Sequence, residues 1–238
     1  MTSTGVRKMD RLLGGGIKDR DRVLLYGPSF QGKEVLARAA FLQALKDGRP
    51  AIMVLTNRGV DEVRAELIAM DKDYEKHEAG LAWFVDAYSL SIGIESKRRN
   101  VEYVESAMDS DKMSLALNRI HAKIVDHDEH LLIVDSVSTL VLYGNAQGTF
   151  RFLQVMIGRA RQAGATTLVL LDHGMHSDAE VQMFRHLVDG AVTLRTDGDK
   201  NQLRVEGLGL ERNPGWIDYK FGDGGFDITG SLAAGRIH

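Results

Sequence analysis

Residues 27–34, which read GPSFQGKE, decide the fold of this chain. Their spacing, G-x-x-x-x-G-K, is that of a phosphate-binding loop, in which glycines let backbone N–H groups point at an anion while the lysine reaches the β- and γ-phosphates. The usual motif closes with Ser or Thr, whose hydroxyl holds magnesium, whereas this chain has Glu34. The sequence therefore predicts a phosphate site with an altered last position. The residues predicted to contact phosphate are Gly27, Pro28, Ser29, Phe30, Gln31, Gly32, Lys33, Glu34 and Val35.

Short apolar runs alternate with amphipathic segments around this loop. The run RVLLYG (22–27) predicts a buried strand that leads into the loop, and apolar residues at helical spacing predict a helix over 34–46. Alternation of this kind is typical of βαβ units around a mostly parallel sheet. Similar patterns predict further strands at 51–55, 81–87, 130–136 and 166–171, and further helices at 61–70, 113–124 and 150–162.

Two segments depart from this alternation. Residues 88–112 are polar, which predicts a surface excursion, and the alternating segments after Ala191, joined by Asp, Gly and Asn turns, predict antiparallel strands at a sheet edge. We therefore expect an α/β fold with a mostly parallel, twisted sheet flanked by helices. We expect one domain over residues 1–238, with a lead-in segment at 1–20 and a β-rich edge at 191–238.

The composition argues against several classes of protein. Lys and Arg number 30 against 33 Asp and Glu, so no overall basic charge attracts nucleic acid or an anionic membrane. The chain has no cysteine, which excludes disulfides and thiolate metal sites. No apolar run approaches the ~20 residues that span a bilayer, and no basic-then-apolar leader begins the chain. We therefore expect a soluble, cytoplasmic protein.

A carboxylate follows the most hydrophobic strand that the sequence predicts. In LLIVDS (131–136) four apolar residues end at Asp135, which suits a strand beside the loop whose terminal carboxylate holds magnesium, directly or through water. An Asp at this place is often only a strand end or a helix cap. Together with the phosphate loop, however, it predicts Asp135 as a metal ligand.

Beyond the loop, the chain carries five segments that together have a recognisable order. The segments are TGVRKMDRLLGGGI (4–17), WFVDAYSLSIG (83–93), LLIVDSVSTL (131–140), ARQAGATTLVLL (160–171) and HLVDGAVTLR (186–195). In these segments and their order the chain resembles the KaiC-like branch of the RecA-type ATPases over nearly its whole length. The resemblance implies a RecA-like P-loop fold, ATP or ADP as ligand, and assembly into rings, such as hexamers, or filaments with nucleotide between subunits.

The chain departs from this family at positions that serve hydrolysis. The family's two adjacent glutamates after the second strand align with Asn57 and Arg58, neither of which can act as a general base. A Lys and an Arg that reach the neighbouring subunit's γ-phosphate in the family align with Gly207 and Gly209. Such a cation can supply ~10³–10⁵ in rate. We therefore assign no catalytic residue.

Three interpretations of Glu34 remain open at this point. Its carboxylate could ligate magnesium beside Asp135, since the ion prefers oxygen ligands. It could lie near the β-phosphate and repel it unless a metal intervenes, or it could turn away within the first helical turn, where acids are favoured by roughly 0.3–1 kcal/mol. A looser candidate for metal, Asp172 with His173 and His176, is more simply interpreted as a surface loop.

The leading hypothesis is an adenine-nucleotide-binding protein with weak or no hydrolysis, acting as a nucleotide-dependent regulatory or assembly component. One alternative is an active RecA-type ATPase in DNA recombination, repair or signalling, with Asp61, Glu62 or Glu34 as the base. Another is an interaction module with a vestigial loop that binds no nucleotide. The expected partners are further copies of the chain and a second protein, and nucleic acid is less favoured because the chain is nearly neutral.

Overall fold

A ten-stranded sheet runs through the protein in a computed structural model that describes residues 1–210, 215–222 and 224–230. The strands lie in the order β10-β9-β8-β7-β1-β6-β5-β2-β3-β4, parallel from β7 to β4 and antiparallel from β7 to β10. This arrangement confirms the predicted fold class. The strands are β1 (Arg22–Gly27), β2 (Ala51–Leu55), β3 (Ala82–Asp86), β4 (Val101–Tyr103), β5 (His130–Asp135), β6 (Ala165–Asp172), β7 (Gly190–Asp197), β8 (Lys200–Gly207), β9 (Ile217–Gly222) and β10 (Gly225–Ile228).

Helices cover both faces of the sheet and bury one apolar cluster on each. Several begin at a side-chain cap that accepts an otherwise unpaired backbone N–H, as Asp109 does before α5 and Asn145 before α7. The helices are α1 (Arg7–Leu12), α2 (Lys33–Lys46), α3 (Val60–Met70), α4 (Tyr74–Glu78), α5 (Ser110–Lys123), α6 (Val137–Tyr143), α7 (Ala146–Gln162) and α8 (Asp178–Arg185).

The central parallel strands bring three distant parts of the chain to one edge of the sheet. Every residue of β2 and β5 is buried, which explains their nearly continuous apolar sequence. The register pairs Gly27 with Asp172 and Leu55 with Asp135. The phosphate loop, Asp135 and Asp172 therefore leave the sheet side by side, at the carboxyl ends where ligands of open α/β sheets bind.

The prediction that 88–112 is only a surface excursion was wrong. Residues Val101–Tyr103 form β4, which extends the sheet beyond β3, and Val101, Val104 and Ala107 are buried. A three-residue strand is too short to show an alternating pattern, so no sequence pattern predicts β4. The helix predicted to begin at residue 150 instead begins at Ala146, after its cap.

The lead-in segment packs against the rest of the fold. It contains α1, whose Met9 is fully buried, and Thr2 pairs with Ile17 across the segment. The single-domain boundary of 1–238 stays a prediction, and residues 231–238 of the predicted β-rich edge lie outside the described residues. Among the helices of the described ranges, none has both the length and the apolar character that crossing a membrane requires.

Candidate nucleotide-binding site

A cavity of about 600 Å³ opens at the carboxyl ends of the parallel strands. Loop residues Ser29, Gly32 and Glu34 line one side of it, and Arg58 and Asp135 line the other. The structure thus brings together the phosphate loop, the predicted strand-end carboxylate and the residue that replaces the expected base. The sequence predicts these residues at the ends of separate strands, and the parallel register of the strands brings those ends together.

The loop has the backbone that an anion-binding turn needs. Gly32 has φ of +87° and is the N-cap of α2, so the first N–H groups of that helix face the end of the loop. Phe30 also has a left-handed backbone, with φ of +61°, and its side chain is 89% exposed. A Cβ on Gly32 would lie 2.6 Å from Cγ of Phe221, so glycine is required by space as well as by φ.

Late strands of the chain support this loop. Tyr219 on β9 donates its hydroxyl hydrogen to the carbonyl of Gln31 at 2.6 Å, and Thr196 on β7 donates to Oε1 of the same residue at 3.0 Å. No sequence motif assigns Tyr219 to the support of this loop. Because 188 residues separate it from Gln31, no local pattern could reveal the contact.

Lys33 is the charged centre of the loop, and its side chain is 1% exposed. Its Nζ lies 2.6 Å from Oδ1 of Asp172 and 2.7 Å from Oε1 of Glu34, and it donates to the carbonyl of Pro28 at 3.3 Å. Burial disfavours the charged ammonium, but the two carboxylates outweigh it and raise the pKa of Lys33 above its usual value. Glu34 thus turns towards the lysine.

The opposite wall of the cavity carries two arginines, and no sequence pattern predicts that they lie close together. Nη2 of Arg58 lies 3.7 Å from Oδ2 of Asp135, and Nη1 of Arg58 lies 3.2 Å from Oε1 of Glu66. Nη2 of the buried Arg38 lies 2.6 Å from Oε2 of Glu66. Burial raises the pKa of Asp135, and Arg58 and Arg38 offset this only in part. Arg38 and Glu66 lie on helix faces whose orientation the sequence did not fix.

The acids considered as substitutes for the missing base are engaged elsewhere or lie at the rim. Asp61 accepts a hydrogen bond from Nε of Arg98 at 2.8 Å. The side chain of Glu62 is 58% exposed and lies 3.8 Å from Arg58. Asn57 itself is exposed and lines the cavity.

The predicted metal ligands are arranged as partners of cations. Glu34 contacts the ammonium of Lys33, and Asp135 faces the guanidinium of Arg58. Within the described residues, no group of three or more acidic or histidine side chains could hold a metal ion. As arranged, these residues do not fit magnesium held by the protein, and the assignment of Asp135 and Glu34 as ligands stays a prediction.

Two further groups of sequence candidates are the histidines after β6 and the glycine at the end of β8. His176 forms a 2.9 Å hydrogen bond with Ser138, and the ring of His173 packs edge-on against Tyr26, so neither joins Asp172 in a cluster. At Gly207, φ is +73° and a Cβ would lie 2.5 Å from the carbonyl oxygen of Asp189. A lysine or arginine at this position would therefore require the backbone to move.

Comparison with known proteins agrees with this geometry. A family model described as "ATPase: KaiC" matches residues 2–206. A UPF0273 protein of Pyrococcus horikoshii is 30% identical over 204 residues, which cover 84% of this chain and 80% of the relative. A UPF0273 protein of Aeropyrum pernix is 32% identical over 140 residues, and this match spans 55% of the relative, little more than half its length.

A solved structure shows the same fold. The crystal structure of a KaiC-like protein from Pyrococcus horikoshii aligns with a TM-score of 0.73 at 19% identity, covering 95% of this chain and 97% of that one. An identity this low supports the fold alone, whereas the family model spans most of the sequence. The chain therefore belongs to the KaiC family of ATPase domains.

Proposed function

We propose that this protein binds adenine nucleotide at the phosphate loop, hydrolyses it weakly or not at all, and uses nucleotide occupancy to control its assembly or a protein partner. One observation carries the proposal. An anion-binding loop with a buried lysine faces a wall that carries Asn57 and Arg58, the residues that the resemblance aligns with the family's two glutamates. Membership of an ATPase family implies nucleotide binding, which is the coarser part of the proposal.

The binding part rests on the loop and on Arg38. The loop ends in the N-terminus of α2, where backbone N–H groups and the helix dipole favour phosphate. Arg38 lines the cavity and is buried, and its Nε has no hydrogen-bond acceptor among the described residues. A buried donor without an acceptor costs about 1–3 kcal/mol, so Arg38 holds a donor beside the cavity that no described residue uses, in addition to its ion pair with Glu66.

The weak-hydrolysis part rests on the residues that face the loop. A general base must accept a proton near neutral pH. The amide of Asn57 has no basic lone pair, and the guanidinium of Arg58 stays protonated. The glycine at position 207 also has no room for the cation that the family supplies to a neighbouring subunit. A ring of several copies, such as a hexamer, would therefore bind nucleotide between subunits without efficient cleavage.

Nucleotide titration tests the binding part. We expect ADP and ATP to bind the full chain in isothermal titration calorimetry, measured with EDTA and again with magnesium. Lys33→Ala should abolish binding, while Lys72→Ala, which changes a lysine away from the cavity, should preserve it. Equal binding by wild type and Lys33→Ala, or none by wild type, would favour the vestigial-loop alternative.

Steady-state turnover tests the hydrolytic part separately. We expect phosphate release from ATP far below that of ordinary ATPases of this family, at any magnesium concentration. Turnover at their level would refute this part and leave nucleotide binding intact. Light scattering with and without nucleotide would then show whether occupancy changes assembly.

A further inference from the structure

Three oxygens already surround the ammonium of Lys33. An ammonium carries three donors, and Asp172, Glu34 and Pro28 place oxygens 2.6, 2.7 and 3.3 Å from Nζ. The side chain is almost entirely buried, so bulk water does not loosen these contacts. A phosphate that needs this ammonium must therefore take the place of at least one acceptor.

Two of the acceptors are charged, which makes them hard to replace. Hydrogen bonds between an ammonium and a carboxylate are roughly twice as strong as neutral ones. Asp172 is also held by a 3.0 Å hydrogen bond from the hydroxyl of Ser29, within the loop itself. A displaced carboxylate would remain close to the incoming phosphate and repel it.

The wider cavity does not compensate for this negative charge. Each cation near the loop is already paired with an acid, and carboxylates outnumber cations among the described residues around it. An incoming phosphate therefore increases an existing negative excess. The cations are Lys33, Arg38 and Arg58, and the carboxylates are Glu34, Glu62, Glu66, Asp135 and Asp172.

We propose that Glu34 and Asp172, termed the carboxylate pair, neutralise Lys33 and thereby set the nucleotide affinity of the site. Nucleotide binds by displacing both carboxylates. Glu34, at the altered last position of the loop, and Asp172 therefore both lower the affinity for nucleotide. This inference rests on the proposed function, because it takes nucleotide as the displacing anion.

Isosteric neutralisation tests the carboxylate pair. Glu34→Gln and Asp172→Asn keep the shape of each side chain and remove its charge. We expect either change to lower the Kd for ADP roughly 10- to 100-fold, the range that corresponds to losing one charged hydrogen-bond competitor. Calorimetry on the full chain at fixed ionic strength with EDTA measures this, and thermal unfolding checks that each variant is folded.

Glu62→Gln is the matched control. It removes the same charge from the rim of the same cavity, but Glu62 does not contact Lys33, and we expect a gain of about threefold or less, as for an exposed charge. The gain must also act through the lysine. Adding Lys33→Ala to Glu34→Gln should therefore abolish it.

Each outcome separates this inference from the proposed function. Wild-type binding with no greater gain in Glu34→Gln or Asp172→Asn than in Glu62→Gln overturns the carboxylate pair and leaves the proposed function standing. A gain that survives Lys33→Ala also overturns it. Binding by Glu34→Gln or Asp172→Asn but not by wild type supports the carboxylate pair. The same result contradicts the proposed binding by wild type at the nucleotide concentrations tested. Binding by none of the variants overturns both.

Discussion

Nη2 of Arg58 lies 3.7 Å from Oδ2 of Asp135, and both residues line the cavity beside the phosphate loop. Burial raises the pKa of the aspartate, and Arg58 has the largest effect among the cations that oppose this rise. This ion pair therefore links the carboxyl ends of β2 and β5, which form one wall of the cavity.

Arg58→Met should destabilise the fold, because it leaves the Asp135 carboxyl without its main cationic neighbour. We expect a loss of about 1–3 kcal/mol in the free energy of unfolding, measured with urea. Arg98→Met breaks a more exposed ion pair with Asp61 and should cost about 1 kcal/mol or less. Equal losses of unfolding free energy in the two variants would show that the Arg58–Asp135 contact contributes no more stability than an exposed ion pair.

Asp135 should make stability fall as pH rises. Burial raises its pKa in the folded state, so between the unfolded value of about 3.9 and the folded value the native protein binds more protons than the unfolded chain. The contribution is complete below about pH 3.9 and is lost as pH rises through the folded pKa. Asp135→Asn cannot titrate, so its stability relative to wild type should increase from pH 4 to pH 7.

Urea unfolding at a series of pH values measures this difference. Asp126→Asn, at an exposed position, controls for the general loss of one negative charge. Wild-type and Asp135→Asn profiles that run parallel over this range would contradict the assignment.

Gly32→Ala should disturb the loop through a collision with Phe221 as well as through its backbone. The left-handed φ alone costs about 1–2 kcal/mol for a residue with a Cβ. Gly48→Ala, where φ is +71° and nothing lies within 4 Å of the added Cβ, measures that part alone. We expect Gly32→Ala to cost more than Gly48→Ala.

A double-mutant cycle isolates the collision. Phe221→Ala removes the ring that the new methyl group meets, so Gly32→Ala should cost less in that background than in wild type. Urea unfolding of the four proteins gives the coupling energy. Additive losses would show that the ring moves aside without cost.

Tyr219→Phe should weaken both the fold and the loop. The change removes the hydrogen bond to the Gln31 carbonyl and keeps the ring, which stacks on Phe226 with centroids 4.7 Å apart. We expect a loss of about 0.5–1.5 kcal/mol in the free energy of unfolding and a higher Kd for nucleotide. Tyr143→Phe, at an exposed position, is the control and should change neither quantity.

The parallel part of the fold could be predicted because its strands are buried on both faces. Their apolar runs are continuous, and β1, β2, β5 and β6 therefore lie where the sequence predicts them, to within a residue at either end. The edge strand β4 escaped prediction because only three residues form it. Membrane topology, cellular location and oligomeric state remain at the level of expectation.

The phosphate loop was predictable for a different reason, since its spacing is local. The contacts that decide its charge are not local. Asp172 reaches Lys33 only because β6 pairs with β1, and Arg58 reaches Asp135 only because β2 pairs with β5. Sequence reasoning therefore identified Glu34 as altered but left open which group its carboxylate contacts.

The support of the loop by β9 has a consequence for the order of synthesis. The loop is made early, yet Phe221 and Tyr219, which fill the space beneath Gly32 and bond Gln31, belong to one of the last strands of the sheet. A nascent chain leaves the ribosome N-terminus first. A partly translated chain that lacks β9 therefore has the sequence of the loop without the two contacts that support its shape.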